Sequence, residues 1–271
     1  MRIISIIFIG TALLYGCGQS STETREQSID SESVHADKPV VIDDTPVKAL
    51  AIGGSMLALH STVSMDDPEN PAWRDAQEYR MELGLAPPVH QSINLRYDPS
   101  LPALPVYLRA ASDGKNLYLR MRWADSSENR STGRTDFADA AAVQFDLQPA
   151  ADGGASSTSF MMGAPGGPVN IWYWKAGQEN PQNLAAGGFG NTTRLDSGAL
   201  MVSEAYREQG EWVVVFSRPL AQPGEHMIQL DQSPANVAFA LWQGEQRQRD
   251  GLKHVSMGWV SLQTTGESSG T

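Results

Sequence analysis

Residues 104–123 read LPVYLRAASDGKNLYLRMRW, and this stretch decides the fold class. Two alternating runs, 104–110 (LPVYLRA) and 116–123 (NLYLRMRW), flank Ser112-Asp113-Gly114-Lys115. Alternation sends successive side chains to opposite faces of a strand. An Asp-Gly pair between two such runs is a hairpin turn. In the second run Leu117, Leu119, Met121 and Trp123 are expected to face inward, with Tyr118, Arg120 and Arg122 outward.

Outward from this hairpin the chain keeps the same texture. Further short runs occur at 91–97 (QSINLRY), 139–147 (DAAAVQFDL), 169–175 (VNIWYWK), 211–218 (EWVVVFSR), 236–243 (NVAFALWQ) and 253–262 (KHVSMGWVSL). Gly, Pro and Asp turns separate them, and no long helical periodicity intervenes. The expected fold is all-β, an antiparallel β-sandwich with short helical segments and loops. Residues 48–263 are expected to form one domain without internal repeats. Residues 49–63 suit a first strand or a short helix. In 66–78 (DDPENPAWRDAQE), Pro68 and Pro71 mark a turn with solvated acids, and Trp73 is expected to plug an end of the domain. Residues 264–271 form a polar tail.

The N-terminus carries a different signal. Arg2 precedes an apolar run too short to span a bilayer, ending in Leu14-Tyr15-Gly16-Cys17. This resembles the lipobox of bacterial lipoproteins. The resemblance implies a signal peptide over 1–16 and lipidation of Cys17. Gly18 and Gln19 follow, with no Asp in the second place, which by the same analogy favours the outer membrane, facing the periplasm. Residues 17–47 are Ser/Thr/Asp/Glu-rich and read as a disordered tether. The formal charge of −11 argues against a nucleic-acid partner, which needs a basic footprint.

Few residues suggest chemistry. There is no GxSxG, HExxH, P-loop or dinucleotide fingerprint, and a single cysteine excludes the CxxCH of covalent haem attachment. His35 and His60 lack partners at metal-ligand spacing, and Asp136 with Asp139 reads as a solvated strand-entry loop. The informative stretch is 159–175 (SFMMGAPGGPVNIWYWK). Two methionines run into a Gly/Pro turn and then an aromatic strand, in which Ile171 and Tyr173 point one way and Asn170, Trp172 and Trp174 the other. Gly163, Gly166 and Gly167 permit close backbone approach. Soft thioethers beside such glycines and flat aromatics suit a large planar cofactor, while a Met-rich core strand is the bland alternative. The second stretch is 242–259 (WQGEQRQRDGLKHVSMGW), an Arg-rich hairpin loop leading to Lys253 and His254. Arg247 and Arg249 could pair with carboxylates at a pocket mouth. Lys253 reads as a surface charge unless burial frees its amine.

Together, MGAPGGPVNIWYWK and AFALWQGEQRQRDGLKHVSMGW, with DDPENPAWRDA and NLYLRMRWAD before them, resemble the haem-b-binding gamma subunits of type II DMSO-reductase-family molybdoenzymes, the ethylbenzene dehydrogenase and dimethylsulfide dehydrogenase type. The resemblance spans roughly residues 66–262. It implies a β-sandwich with one non-covalent haem b and no substrate chemistry of its own. Electrons would pass between the iron–sulfur and molybdenum subunits of the enzyme and a c-type cytochrome or quinone-linked partner. The implied axial ligands are Met162 and Lys253, with Met161 and His254 as alternatives. A one-residue strand slip would exchange the methionines, and histidine is the more ordinary haem ligand. Trp172 and Trp174 are candidates for packing the porphyrin, Asn170 for a supporting hydrogen bond, and Arg249 for the cofactor's carboxylates. The alternative class is a haem-free lipoprotein sandwich binding carbohydrate or another small ligand on exposed tryptophans.

Overall fold

A computed structural model describes residues 46–131, 133–148, 158–231 and 234–264. The signal, tether, Cys17, His35 and nearly all of the polar tail lie outside the described residues. Three short strands open the fold: β1 (Lys48–Ala49), β2 (Ser55–Leu57) and β3 (Leu59–His60). They are followed by β4 (Tyr79–Leu85), β5 (Leu104–Ser112), β6 (Asn116–Ala124), β7 (Ala140–Asp146), β8 (Val169–Lys175), β9 (Gln182–Ala186) and β10 (Thr192–Arg194). The remainder are β11 (Met201–Arg207), β12 (Glu211–Pro219), β13 (Ala235–Trp242), β14 (His254–Val255) and β15 (Val260–Gln263).

One layer is β4-β5-β6-β12-β11 and the other is β10-β9-β8-β7-β13; β14 pairs with both β13 and β4 and joins them along one side. These long pairings are antiparallel, and only β1, β2 and β3 add short parallel contacts. The β5–β6 hairpin has the expected Asp113-Gly114 turn, with Gly114 at φ 81°.

The core lies between the layers. Leu117, Leu119, Met121 and Trp123 of β6 pack with Trp212, Val214 and Phe216 of β12 against Val143, Phe145, Trp172, Trp174, Val237 and Phe239 of the other layer. The Trp174 ring meets Trp212 edge-on at 5.0 Å and Trp123 at 6.2 Å, across the sandwich. Each such aromatic contributes roughly 1.5–3 kcal/mol through burial, so this cluster clamps the two layers.

The outer face of the first layer is covered, against expectation. Tyr118 and Arg120 are buried, and so is Arg109. The 65–76 segment lies over them, with Met65, Trp73 and Ala76 packed on Tyr118 and Val215. Trp73 therefore caps a sheet face and not an end. A single 3-10 turn, Pro71–Asp75, positions it, capped by Asn70 Oδ1 accepting from Ala72 N. The buried cations find partners there: Arg109 bonds Glu78 and the Trp73 carbonyl, Arg122 bridges Glu78 and Glu211, and Arg120 donates to Pro68 O.

Three further expectations change. Residues 91–97 hold a short helix, α1 (Gln91–Asn94), because His90 Nδ1 caps it by accepting from Ser92 N. Residues 253–262 split into β14 and β15, since the two pieces pair with different parts of β13. Asp139 is fully buried, not solvated: its carboxylate accepts from Gly244 N, Asn129 N and Trp212 Nε1.

Candidate functional site

The outer face of an antiparallel layer is ordinarily wet and polar. On β7, β8 and β13 it is apolar instead. Core residues occupy one face, Val143, Phe145, Trp172 and Phe239, so the alternation leaves Ala142, Ile171, Tyr173, Ala238, Ala240 and Trp242 on the other. Alternating alanines keep that face low and flat. Loops wall it in: the α1 segment, the methionine turn, residues 189–192 and residues 250–256. They enclose a cavity of about 750 Å³, within the range of small-molecule and cofactor sites.

Met161 and Met162 both line this cavity, half-buried. They are not on a strand, so the strand-slip alternative does not apply. They sit in a tight turn closed by Gly163 N–H donating to Ser159 O, and Met161 N–H donating to Ser159 Oγ. Met162 has φ 64° and Gly163 φ 73°. A left-handed backbone at a long side chain costs about 1–3 kcal/mol and persists only where neighbours enforce it. Here Gly188 N–H donates to Met162 O at 2.8 Å. A side chain at position 163 would collide with the carbonyls of Gly167 and Ala186. That glycine serves the turn and the neighbouring strand, not a ligand.

Lys253 comes to the same cavity from the 250–256 segment. It is 7% exposed, and burial pulls its ammonium down to about 8, against the opposing charge of Asp250. Its Nζ lies 4.8 Å from the centre of the Trp242 ring, and it makes no ion pair among the described residues. Trp242 is fixed in turn, by Nε1 donating to Asp250 O and by edge-on contact with Tyr173 at 5.4 Å. Gly251 lets this loop press on α1, since a Cβ there would meet Ile93 Cδ1 at 2.3 Å.

His254 points the other way. Its Nε2–H donates to Pro102 O, leaving Nδ1 to accept from Gln248 Nε2. Burial holds it below the ordinary histidine range, so it is a neutral ring with both nitrogens engaged. Trp172, Trp174 and Asn170 are corrected likewise. The tryptophans belong to the core between the layers. Asn170 is buried there, bonding Asn183, Leu184 O and Ile228 N. Strand parity excludes all three from the cavity face. Arg249 pairs with Asp250, lies over the Phe137 ring at 5.0 Å, and does not line the cavity. Arg247 lies outside it too, over the same ring at 5.8 Å.

Sequence reasoning missed the alanine floor and Gln144. For the floor the available signal was DAAAVQF and VAFALW, where Ala142, Ala238 and Ala240 alternate with core residues in places where polar side chains are usual; Gln144 carried no such signal.

A family profile described as "Ethylbenzene dehydrogenase" matches residues 70–202. The dimethylsulfide dehydrogenase subunit gamma of Rhodovulum sulfidophilum is 39% identical over 75% of this chain and 77% of that protein. The chain belongs to this gamma-subunit family. The chlorate reductase subunit gamma of Ideonella dechloratans is 34% identical over 72% of this chain and 78% of its own length. A putative respiratory nitrate reductase heme subunit of Haloferax mediterranei is 33% identical over 78% and 74%. Among solved structures, a family 9 carbohydrate binding module from Caldicellulosiruptor kristjanssonii in complex with glucose aligns with 80% of this chain and 98% of its own, at TM-score 0.46 and 10% identity. For a gamma subunit, the cavity on the outer sheet face is the place to look for a cofactor.

Proposed function

We propose that the gamma subunit holds one b-type haem non-covalently in the outer-face cavity, with Met162 and Lys253 as the two axial donors. It is a haem-binding, electron-carrying subunit of a multi-subunit oxidoreductase, without substrate chemistry of its own. The observation that carries the reading is Lys253. A lysine so buried on an apolar wall, making no ion pair among the described residues and facing the cavity of two methionines, suits ligation better than charge display. Only the neutral amine has a lone pair to donate, and burial already lowers the cost of reaching it. When bound, the haem supplies a one-electron carrier whose potential is set by its axial ligands and its surroundings.

The chain's own residues do the rest. The alanine floor accepts a flat ring, Ile171, Leu184 and Val255 exclude water, and the methionine turn and the 250–256 segment each present one donor. With only one cysteine in the chain, attachment through paired thioethers is not available, which supports the b-type. The partners are the iron–sulfur and molybdenum subunits on one side and a c-type cytochrome on the other. Lipidated Cys17 would hold the complex at the periplasmic face of the outer membrane. The haem-free carbohydrate reading needs a tryptophan stacking platform, and none of the seven tryptophans is exposed.

The test is a reduced-minus-oxidised visible spectrum of the purified chain beside its Met162→Ala/Lys253→Ala variant. Sharp low-spin bands with a haem b pyridine haemochrome, lost in the variant, are expected. Unchanged haem content in the variant would remove the ligand assignment.

A further inference from the structure

We propose that Gln144 is the positioning residue of the methionine turn, the side chain through which the cavity floor holds Met162 in place. Gln144 lies on the cavity face of β7, in line with Ala142, and is buried. A buried amide on an apolar floor is costly unless it is hydrogen-bonded. Its Nε2 donates to Phe160 O at 2.9 Å, the carbonyl immediately before Met161 and Met162. The other ties run elsewhere: Gly188 N–H reaches Met162 O from the β9–β10 side, and Trp259 Nε1 reaches Thr158 O at 2.8 Å. Among the described residues, Gln144 is the floor side chain that bonds the turn. It therefore sets the height of the turn above the surface on which a planar ligand would rest.

This link matters because the turn is strained. Met162 occupies the left-handed region, and relaxing it would swing its side chain to a new direction. A thioether is a weak donor that contributes only if presented at the right place. The amide of Gln144 fixes one end of the strained segment and Gly188 fixes the other. The consequence for iron ligation rests on the haem reading above; the anchoring of the turn does not.

The test is Gln144→Leu, which removes the donor at nearly constant size. In the apoprotein, amide hydrogen exchange of a peptide covering residues 158–164 should rise about tenfold, the effect of one lost hydrogen bond, with the β6 and β12 peptides unchanged. In the haem-loaded protein the low-spin bands should weaken and the reduction potential should fall as the thioether is lost. In a Met162→Ala background, Gln144→Leu should leave the spectrum where Met162→Ala put it. Unchanged exchange at 158–164 overturns the proposal. So does raised exchange with a wild-type spectrum and potential, since the turn would then be held without acting on the site. If the wild-type chain takes up no haem, the haem reading fails by itself, and exchange alone decides whether Gln144 anchors the turn.

Discussion

Asp125 and Asp139 make a stability switch that can be read without any cofactor. Both carboxyls are buried, 2% and 0% exposed. Asp139 accepts from three donors, whereas Asp125 Oδ1 accepts from Ser127 N and its remaining partner is the Asp139 carboxyl itself, which it can bond only when one of the two holds a proton. Burial first, and then the charge of Asp139, pushes Asp125 up to about 7; Asp139 is also raised, chiefly by burial. The surrounding charged groups are Glu245, whose Oε2 accepts from Ser126 Oγ, Glu128, and Arg130, which lies over the Trp212 ring at 4.8 Å. A raised folded-state value means that the native state holds a proton which the unfolded chain releases near 4. Stability from the protonated form is complete below that value and is lost as pH rises through about 7. A rise from 3.8 to about 7 corresponds to about 4 kcal/mol at the usual conversion. Water entry and relaxation screen part of it, so about 2 kcal/mol is expected. Asp125→Asn keeps the size and the acceptor for Ser127 N, and supplies an uncharged amide beside Asp139. Urea unfolding of the apoprotein from pH 4 to 8 should show wild-type stability falling relative to the variant, with the variant about 2 kcal/mol more stable at pH 8. Parallel curves for the two proteins would refute a shared buried proton.

Two further outcomes follow from the cavity. Ala240→Phe fills the floor and should abolish hemin uptake while leaving the unfolding free energy from urea titration within about 1 kcal/mol of wild type, because the added ring enters existing space; normal uptake would move the ligand elsewhere. Hemin affinity of the apoprotein should rise about tenfold per pH unit up to about 8 and then level, because ligation needs Lys253 deprotonated. Lys253→Met, which has no proton to lose, should flatten that dependence, and an unchanged slope would exclude Lys253 as the donor.

The layer structure was legible in the sequence because strand alternation is local. Leu117 to Trp123 face the core as their spacing requires, and Trp172 separates from Tyr173 for the same reason. The methionine segment stood out by its residue types, and its pairing with Lys253 came through family resemblance, since nothing local marks Lys253 as more than a surface charge. What a single strand cannot say is which of its faces another part of the chain will cover. Tyr118 and Arg120 alternate like solvated residues, yet the distant Trp73 segment buries them. Ala142, Ala238 and Ala240 look like core filler, yet they form a cavity floor because four separate segments, from the α1 segment to residues 250–256, stand around them. His254 and Lys253 are neighbours in sequence, and only the pairing of β14 between β13 and β4 turns one ring into the interior and one amine toward the cavity. The sequence by itself determined the all-β class, the hairpin and the central strands, and the residue chemistry, through spacing and side-chain type. Tertiary structure decided the site, because burial, the lowered lysine and the strained methionine turn arise only where separate segments close over one sheet face.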